Sequence, residues 1–537
     1  MTKKLLVFLL VMVLLLQCGC VKQPALVQTS EPESVQTSEP ATEQTSEQAY
    51  QSQETEHLKL ERDDWADDVK LALNDLIATY GKAGVTPAGT PYVVFDFDNT
   101  SSIFDVEEQL AIYQLQVMAF AVNPQELRDV LLTGLNDTDK DLTDLGYGKG
   151  SINDWVDDIC SAYTVLWDKY GEFTAKGVSP DRLDEMHADI QWQEFSAKMR
   201  TLYDLIYEVE SSDVAYPWIT YWFTGMTEDE IYNLATEAFV KYKDVETSVE
   251  VWTSPSDMES KTGVVSVEWT SGIQVSDNIR ELWKALDDNG IDVWVCSASC
   301  TGAIRAAIDT FGLHDDCKGM LAMTNKADEN GKYLAQYDME EGCGFYAGEN
   351  GTWTRMSRPT KSQTQGEGKV TAIVNAIAPE YDNHGPLAGF MDSTGDFNFC
   401  TEFETLKLVV CFNRANRKVT DGGGLIAEVA MYEKETLGYD LEKANNEGDT
   451  LYVLQGRDEY GKRSFRNSNC TIRFGEKEET LFKNSDNEAQ LQRMIDEEMS
   501  IADILNTYAI KQDAGENGFE FNTGFLDKYD GYHSIRE

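Results

Sequence analysis

Positive charge is scarce in this 537-residue chain. Only 45 lysines and arginines stand against 94 aspartates and glutamates, which gives a formal net charge of −49 at pH 7. Such a surface repels nucleic-acid phosphates and anionic lipid headgroups, so it excludes nucleic acid as a partner of the folded part. Histidine is rarer still: the five residues are dispersed and show no metal-ligand spacing.

Cysteine is also sparse, with ten residues in the whole chain. The eight that follow Cys20 are scattered and include no CxxC pair, which argues against a zinc site. Their pairing stays open at this point. An exported protein can form disulfides, whereas in a domain of this size most of these cysteines could equally be buried free thiols.

A long apolar run occurs at the N-terminus, where Lys3 and Lys4 are followed by "LLVFLLVMVLLLQ" and then "CGC". A short basic start and an apolar stretch of this length are typical of a signal peptide. We predict a lipoprotein signal over residues 1–19 and lipidation of Cys20, with simple secretion as the alternative. The polar repeat within residues 20–57 predicts a disordered tether, so we expect an exported protein anchored by lipid to the outer face of a bacterial membrane.

The rest of the chain alternates between strand and helix patterns around one long insertion. Helical spacing over residues 58–82 precedes an apolar strand at Tyr92–Phe95, and alternation resumes from residue 271. We predict an α/β fold with a parallel sheet and crossover helices, formed by residues 58–108 and 271–480. Residues 109–270 are predicted to be a helical cap and residues 481–537 a helical extension. "DTLYVLQG" and "NCTIRFG" predict an accessory hairpin.

Polar side chains follow three of the predicted strands, at the point where each strand ends. These residues are Asp96, Asp98, Ser297, Ser299, Asp392 and Asp396. A lysine, Lys369, opens a helix after Gly366 and Gly368. Each feature alone could be a turn or a helix cap. In open α/β sheets, however, ligands bind beyond the carboxyl ends of the strands, so we expect the four elements to form one site.

The four segments "DFDNT", "VCSAS", "GK" and "DSTGD" resemble the motifs of the haloacid dehalogenase (HAD) superfamily. Within it, the chain is most similar to the phosphoserine-phosphatase-like branch and to bacterial phosphorylcholine phosphatases. The resemblance implies a Rossmann-like core with a cap inserted between the first and second motifs. It also implies a Mg²⁺-dependent phosphomonoester hydrolase that acts on a small-molecule phosphate ester.

The resemblance further implies a role for each matching residue. Asp96 would attack phosphorus to form an aspartyl-phosphate, and Asp98 would protonate the leaving alkoxide and later activate water. Mg²⁺ would be held by Asp96, the backbone carbonyl of Asp98 and Asp392, with Asp396 in support. Asp98 is absent from dehalogenases, because a halide leaving group needs no proton.

The same resemblance assigns the phosphoryl group to Ser297 and Lys369. Ser297 and neighbouring N–H groups would hold the phosphoryl oxygens, and Lys369 would neutralise charge on the nucleophile.

The predicted cap contains the aromatic stretch "YPWITYWF". Aromatic faces bind quaternary ammonium groups, so Trp218 and Trp222, with Glu107 and Glu108 as counter-charges, are candidate contacts for a choline or ethanolamine leaving group. The alternative is that these rings form the core of the cap. A competing function is a non-catalytic surface lipoprotein that binds a phosphorylated or choline-bearing ligand. The sequence leaves the oligomeric state open.

Overall fold

The computed structural model describes residues 59–505, apart from 82–90, 211, 416–420, 437, 439, 462, 482 and 484. All of these residues belong to one compact unit, Glu56–Glu537. The predicted signal peptide, Cys20, the predicted tether and residues 506–537 of the predicted extension lie outside the described residues. Across the described ranges, every helix is too short or too polar to cross a membrane.

Fourteen strands are found in the described part of the chain. They are β1 Tyr92–Phe95, β2 Ser248–Thr253, β3 Ser266–Ser271, β4 Asp292–Cys300, β5 Gly319–Met323, β6 Asn325–Ala327, β7 Tyr333–Tyr337, β8 Cys343–Gly348, β9 Thr352–Arg355, β10 Ala388–Met391, β11 Leu408–Phe412, β12 Leu451–Gln455, β13 Arg457–Asp458 and β14 Ser464–Phe465.

The same residues include fourteen α-helices. They are α1 Asp67–Tyr80, α2 Val106–Val117, α3 Pro124–Leu132, α4 Ile152–Tyr170, α5 Leu183–His187, α6 Ile190–Val209, α7 Ser212–Thr220, α8 Glu228–Tyr242, α9 Asp277–Asp288, α10 Thr301–Thr310, α11 Glu367–Ala372, α12 Gly422–Thr436, α13 Leu441–Glu447 and α14 Ser485–Asp496.

Eight of the strands form one sheet in the order β12-β11-β10-β1-β4-β5-β8-β9. The first six are mutually parallel, and β1 lies at the centre between β10 and β4. β8 and β9 add to one edge in antiparallel orientation. The predicted α/β fold is therefore confirmed. The sheet as a whole is mixed, because β8 and β9 extend the six parallel strands at one edge.

The central strand β1 shows why the sheet is covered on both faces. Its four residues are all buried, as expected for a parallel strand between two helical layers. Val93 and Phe95 join a core with α1, α9 and α10, whereas Tyr92 and Val94 join a second core with α11 and α12. The alternation of side chains along a strand produces these two separate cores.

A third core is drawn from residues 111–265, the region predicted to be a cap. Two helices of the predicted cap region begin at a capping box: Ser151 before α4 and Thr227 before α8 each accept the amide of the third helical residue. The buried side chains of α4 belong to this third core, whereas those of α8 belong to the first. The region is mainly helical, but β2 and β3 form an antiparallel hairpin within it that the pattern did not predict.

The predicted accessory hairpin is not formed. The apolar part of "DTLYVLQG" is β12, which pairs in parallel with β11 at the edge of the main sheet. The segment "NCTIRFG" makes only isolated bridges, from Ile472 to Asp458 and from Thr471 to Thr480. All five residues of β12 are buried, whereas an exposed hairpin strand would alternate between buried and exposed positions.

Candidate functional site

The end of β1 places two aspartates at the edge of the sheet. Asp96 follows Phe95 directly, and its N–H donates to Phe390 O on β10 at 3.0 Å, so the ladder continues through this residue. Asp392 follows the last residue of β10, Met391. Because β1 and β10 are parallel neighbours, their carboxyl ends coincide and the two carboxylates meet.

Three buried carboxylates gather here. Oxygen atoms of Asp96, Asp392 and Asp396 all lie within 4.8 Å of one another. Asp396 ends the turn that follows β10, where its carboxylate accepts the N–H of Ser393 at 3.3 Å. The sequence prediction that these aspartates share one site is therefore consistent with their positions.

Lys369 is the buried cation of this group. Its Nζ donates to Asp96 Oδ1 and to Asp396 Oδ1, both at 2.6 Å. The preceding glycines bring the lysine close. Gly366 has φ +54°, in the left-handed region, and its N–H donates to Gly395 O. At Gly368, a Cβ atom would lie 1.7 Å from the backbone oxygen of Gln363. The "GEGK" segment therefore requires glycine at both positions.

Arg414 is a second cation at this edge, and the sequence reasoning missed it. It lies two residues after β11, and its Nη1 donates to Asp392 Oδ2 at 3.0 Å. The rule that identified Asp96 and Asp392, polar residues just after an apolar strand, would also have found Arg414 in "LVVCFNR".

The carboxylate of Asp98 is held by a different set of donors. Its Oδ2 accepts from Ser299 Oγ at 2.6 Å and from Ser297 Oγ at 3.3 Å. Its Oδ1 accepts from the N–H of Val106, the first residue of α2, at 2.6 Å. Asp98 thus lies beside the serine pair at the end of β4, and the structure brings Ser297 and Asp98 together.

Burial raises the pKa values of Asp96, Asp98 and Glu107. The pKa of Asp96 is well above the ordinary value, because burial and Asp396 outweigh the opposing effect of Lys369. Burial and then Asp105 raise the pKa of Asp98 in the same way. The pKa of Glu107 is raised to about 8, first by burial and then by Asp105. Burial therefore favours the protonated form of each of these groups.

The residues border a cavity of about 730 Å³. Its floor includes Asp96, Asp98, Lys369, Asp392, Asp396 and Arg414. Its remaining wall is aromatic and acidic and includes Glu107, Glu108, Tyr203, Asp204, Tyr207, Glu208 and Tyr216.

The cavity wall differs in part from the sequence prediction. Glu107 and Glu108 line it, as predicted, but Glu108 is paired with Arg200. Trp218 and Trp222 do not line it. Both are buried in the core of residues 111–265, where the Trp218 indole N–H donates to Leu131 O at 3.0 Å.

Two of the tyrosines that line the cavity, Tyr203 and Tyr207, were missed by the sequence reasoning. They are spaced i, i+4 on α6. Tyr216, the first residue of the predicted aromatic stretch, contacts Tyr207 with tilted rings whose centres are 5.9 Å apart. The sequence did contain a signal for this wall. Asp204 and Glu208 are also spaced i, i+4 on α6, each directly after one of the two tyrosines, so acidic and aromatic side chains recur together along the helix.

The three carboxylates are chemically suited to a hard divalent cation. Carboxylate oxygens are the ligands that Mg²⁺ and Ca²⁺ prefer, and histidine or thiolate ligands are absent from this group. Asp96, Asp392 and Asp396 would hold such an ion. The residues alone do not select between metals of this class.

Comparison with solved structures gives a likeness in fold. A crystal structure of a conserved functionally unknown protein from Anaerococcus prevotii DSM 20548 matches with 28% identity and a TM-score of 0.60, covering 77% of this chain and 98% of that chain. A protein with unknown function from Bordetella pertussis Tohama I matches with 11% identity and a TM-score of 0.28, covering 60% of this chain and 89% of that chain. A TM-score this low does not indicate a shared fold. No protein-family model and no curated protein matches the chain. The comparisons therefore assign no activity.

Proposed function

We propose that this protein is a Mg²⁺-dependent phosphomonoester hydrolase of the HAD type, with Asp96 as the nucleophile. One observation carries the proposal. A carboxylate at the tip of the central strand contacts a buried lysine, and a second carboxyl two residues later is held separately by a serine pair. These different surroundings suit the two aspartates to different roles, Asp96 as the nucleophile and Asp98 as the proton donor. The four motifs quoted above support the same function.

In the proposed first step, an Asp96 oxygen attacks phosphorus. The new bond joins carboxylate oxygen to phosphorus, the bond from phosphorus to the ester oxygen breaks, and the proton of Asp98 passes to the leaving alkoxide. In the second step Asp98 accepts a proton from water, which attacks phosphorus and releases phosphate and free Asp96. The raised pKa of Asp98, caused first by its burial, supports the first step because it favours the protonated form that donates to the leaving group.

Lys369 and Ser297 support this chemistry without exchanging protons. Lys369 Nζ, 2.6 Å from the Asp96 carboxylate, offsets negative charge on the nucleophile as the phosphoryl group approaches. Ser297 lies within β4, where it is fully buried and its hydroxyl donates to Asp98 rather than bordering the cavity. Ser299, two residues later on the same strand, does border the cavity, where a phosphoryl oxygen would be held. A magnesium ion bound by the three carboxylates would screen the charge of the dianionic ester.

We propose a cationic leaving group, such as choline or ethanolamine, on the basis of the cavity wall. Tyr203, Tyr207 and Tyr216 border the same cavity as Asp96, together with Asp204 and Glu208, although Asp204 is also paired with Arg200. Tyrosine faces attract ammonium groups, and the acids add a favourable field. These side chains replace Trp218 and Trp222 in the proposal.

A phosphate-ester panel tests the function. Phosphate release would be measured from phosphorylcholine, phosphoserine, glycerophosphate and 4-nitrophenyl phosphate, with Mg²⁺ and with EDTA. We expect Mg²⁺-dependent turnover that is lost in Asp96→Asn and retained in Asp184→Asn, a matched change at an exposed aspartate. Binding of these esters without turnover would refute the proposal in favour of a non-catalytic binding protein.

The same panel separates the leaving group from the reaction. A preference for phosphorylcholine that falls in Tyr216→Leu, with 4-nitrophenyl phosphate hydrolysed as before, supports the cationic leaving group. Equal rates on all four esters would reject it and leave the phosphatase proposal in place.

A further inference from the structure

A buried arginine from outside the four motifs reaches the loop that carries Asp98. Arg457 opens β13, directly after the last strand of the main sheet, and is 1% exposed. Its Nη1 donates to the backbone carbonyl of Asn99 at 2.8 Å, and its Nη2 lies 3.4 Å from the side-chain oxygen of the same residue. One guanidinium therefore binds both the main chain and the side chain of the residue that follows Asp98.

Glu459 fixes the orientation of this guanidinium. Its Oε1 accepts from Arg457 Nε at 3.0 Å and from Nη2 at 2.7 Å, and its Oε2 accepts from the N–H of Phe474 at 2.9 Å. Both side chains of the pair are almost fully buried. A buried pair with each donor and acceptor directed at a defined partner holds a single geometry, which a solvent-exposed pair does not.

Asn99 has a backbone conformation that needs such support. Its φ is +59°, in the left-handed region, and its N–H donates to Phe104 O at 3.3 Å to close a tight loop. Three further amides of this loop, from residues 100, 101 and 102, converge on the carbonyl of Phe97. Asparagine tolerates this region better than most residues, but it is still uncommon there. Because Asn99 directly follows Asp98, a shift of the Asn99 backbone also moves the peptide unit that joins it to Asp98.

We propose that the Arg457–Glu459 pair is a positioning element for Asp98. On this proposal the guanidinium holds the carbonyl of Asn99, which keeps the Asp98 carboxyl against Ser299 and the first amide of α2. The inference rests on the proposed function, in which Asp98 protonates the leaving group. It assigns a role to the segment after β12, which the four motifs do not include.

The dependence on leaving group distinguishes positioning from simple support of the fold. An alkyl phosphate needs a proton on its leaving oxygen, whereas 4-nitrophenolate leaves without one. A misplaced Asp98 therefore slows alkyl esters more than the aryl ester. A loss of folded protein would lower both rates by the same factor.

The test substitution is Arg457→Lys. Lysine keeps the positive charge but lacks the planar guanidinium, which binds the oxygens of Asn99 and the carboxylate of Glu459 at the same time. We expect kcat/KM for phosphorylcholine to fall by about tenfold or more, with kcat/KM for 4-nitrophenyl phosphate changed by less than about threefold. This ratio reports the steps up to release of the leaving group, so it excludes the later hydrolysis in which Asp98 also acts on both esters. Lys198→Arg is the matched control. Lys198 is equally buried and paired with Glu194 and Asp158, and none of the three lines the cavity. It should leave the ratio of the two rates unchanged.

A measurement independent of activity accompanies the kinetics. Hydrogen exchange of the peptide covering residues 96–105 should be faster in Arg457→Lys than in the wild type, and unchanged in Lys198→Arg. If Arg457→Lys does not fold, the double variant Arg457→Met with Glu459→Met removes both charges together and takes its place.

The outcomes separate the two proposals. Faster loop exchange with a selective loss on the alkyl ester supports the positioning role. Unchanged exchange, or equal loss on both esters, overturns it while the wild-type activity stands. A wild type without activity on any ester refutes the proposed function, and with it the role in proton transfer, whatever the exchange data show.

Discussion

Replacing Lys369 by methionine tests the charge balance at the centre of the site. Lys369 is 1% exposed and donates at 2.6 Å to two carboxylates that are themselves buried. Removing one partner of a buried ion pair leaves an uncompensated charge, which typically costs about 3–5 kcal/mol. Lys369→Met should therefore lose an amount in this range from the free energy of unfolding, measured by urea denaturation in EDTA.

The loss of unfolding free energy in Lys369→Met should also depend on pH. The pKa values of Asp96 and Asp396 already lie above the ordinary value in the folded protein, and loss of the lysine raises them further. The folded state then binds more protons than the unfolded chain, so stability falls as pH rises from about 4 through the folded pKa values. The deficit of Lys369→Met relative to wild type should be larger at pH 8 than at pH 5.

A surface substitution provides the control. Lys284→Met removes a lysine that is 60% exposed and pairs with Asp288, and exposed pairs contribute about 0–1 kcal/mol. The reasoning would be refuted if Lys369→Met lost no more than Lys284→Met, or if its deficit did not change with pH.

Two further predictions concern the metal and the cavity. Arg414→Gln should bind Mg²⁺ more tightly than wild type by calorimetry, because it removes a positive charge 3.0 Å from the Asp392 carboxylate; equal affinity would show that Arg414 does not oppose the ion. Glu107→Gln should lessen the fall in the free energy of unfolding between about pH 4.5 and pH 8. Burial raises the pKa of Glu107 to about 8, so the folded protein holds a proton there that stabilises it at low pH. If urea denaturation gives the same change of unfolding free energy with pH in both proteins, the raised pKa is contradicted.

Local signals in the sequence predicted the centre of the site. The apolar run at Tyr92–Phe95 is β1 with the same bounds. The aspartates after β1 and β10 and the serines near the carboxyl end of β4 lie at one edge of the sheet. This succeeded because a strand in a parallel sheet is a short continuous apolar run, and because its carboxyl end has a fixed direction.

Long-range pairing limited the rest of the prediction. β12 was assigned to a hairpin because a second polar–apolar stretch follows it closely, but it pairs instead with β11, some forty residues earlier. Arg457 and Asn99 are 358 residues apart, and nothing local to either residue indicates the contact. The aromatic run at residues 216–223 was ambiguous for a similar reason, since the direction of each ring depends on packing against α3 and α6.

In the proposed function, the charges in contact at the site would couple metal binding to ester binding. Asp96, Asp392 and Asp396 carry three negative charges when ionised, and Lys369 and Arg414 supply two positive ones. The net charge of −1 opposes a dianionic phosphate ester, and burial raises the pKa values of Asp96 and Asp396, which favours their protonated forms. In the proposed function, a bound divalent ion would change the sum to +1, which would attract the ester. Because linkage is reciprocal, the ester would in turn strengthen binding of the ion by the same factor, so the two affinities would belong to one coupled equilibrium.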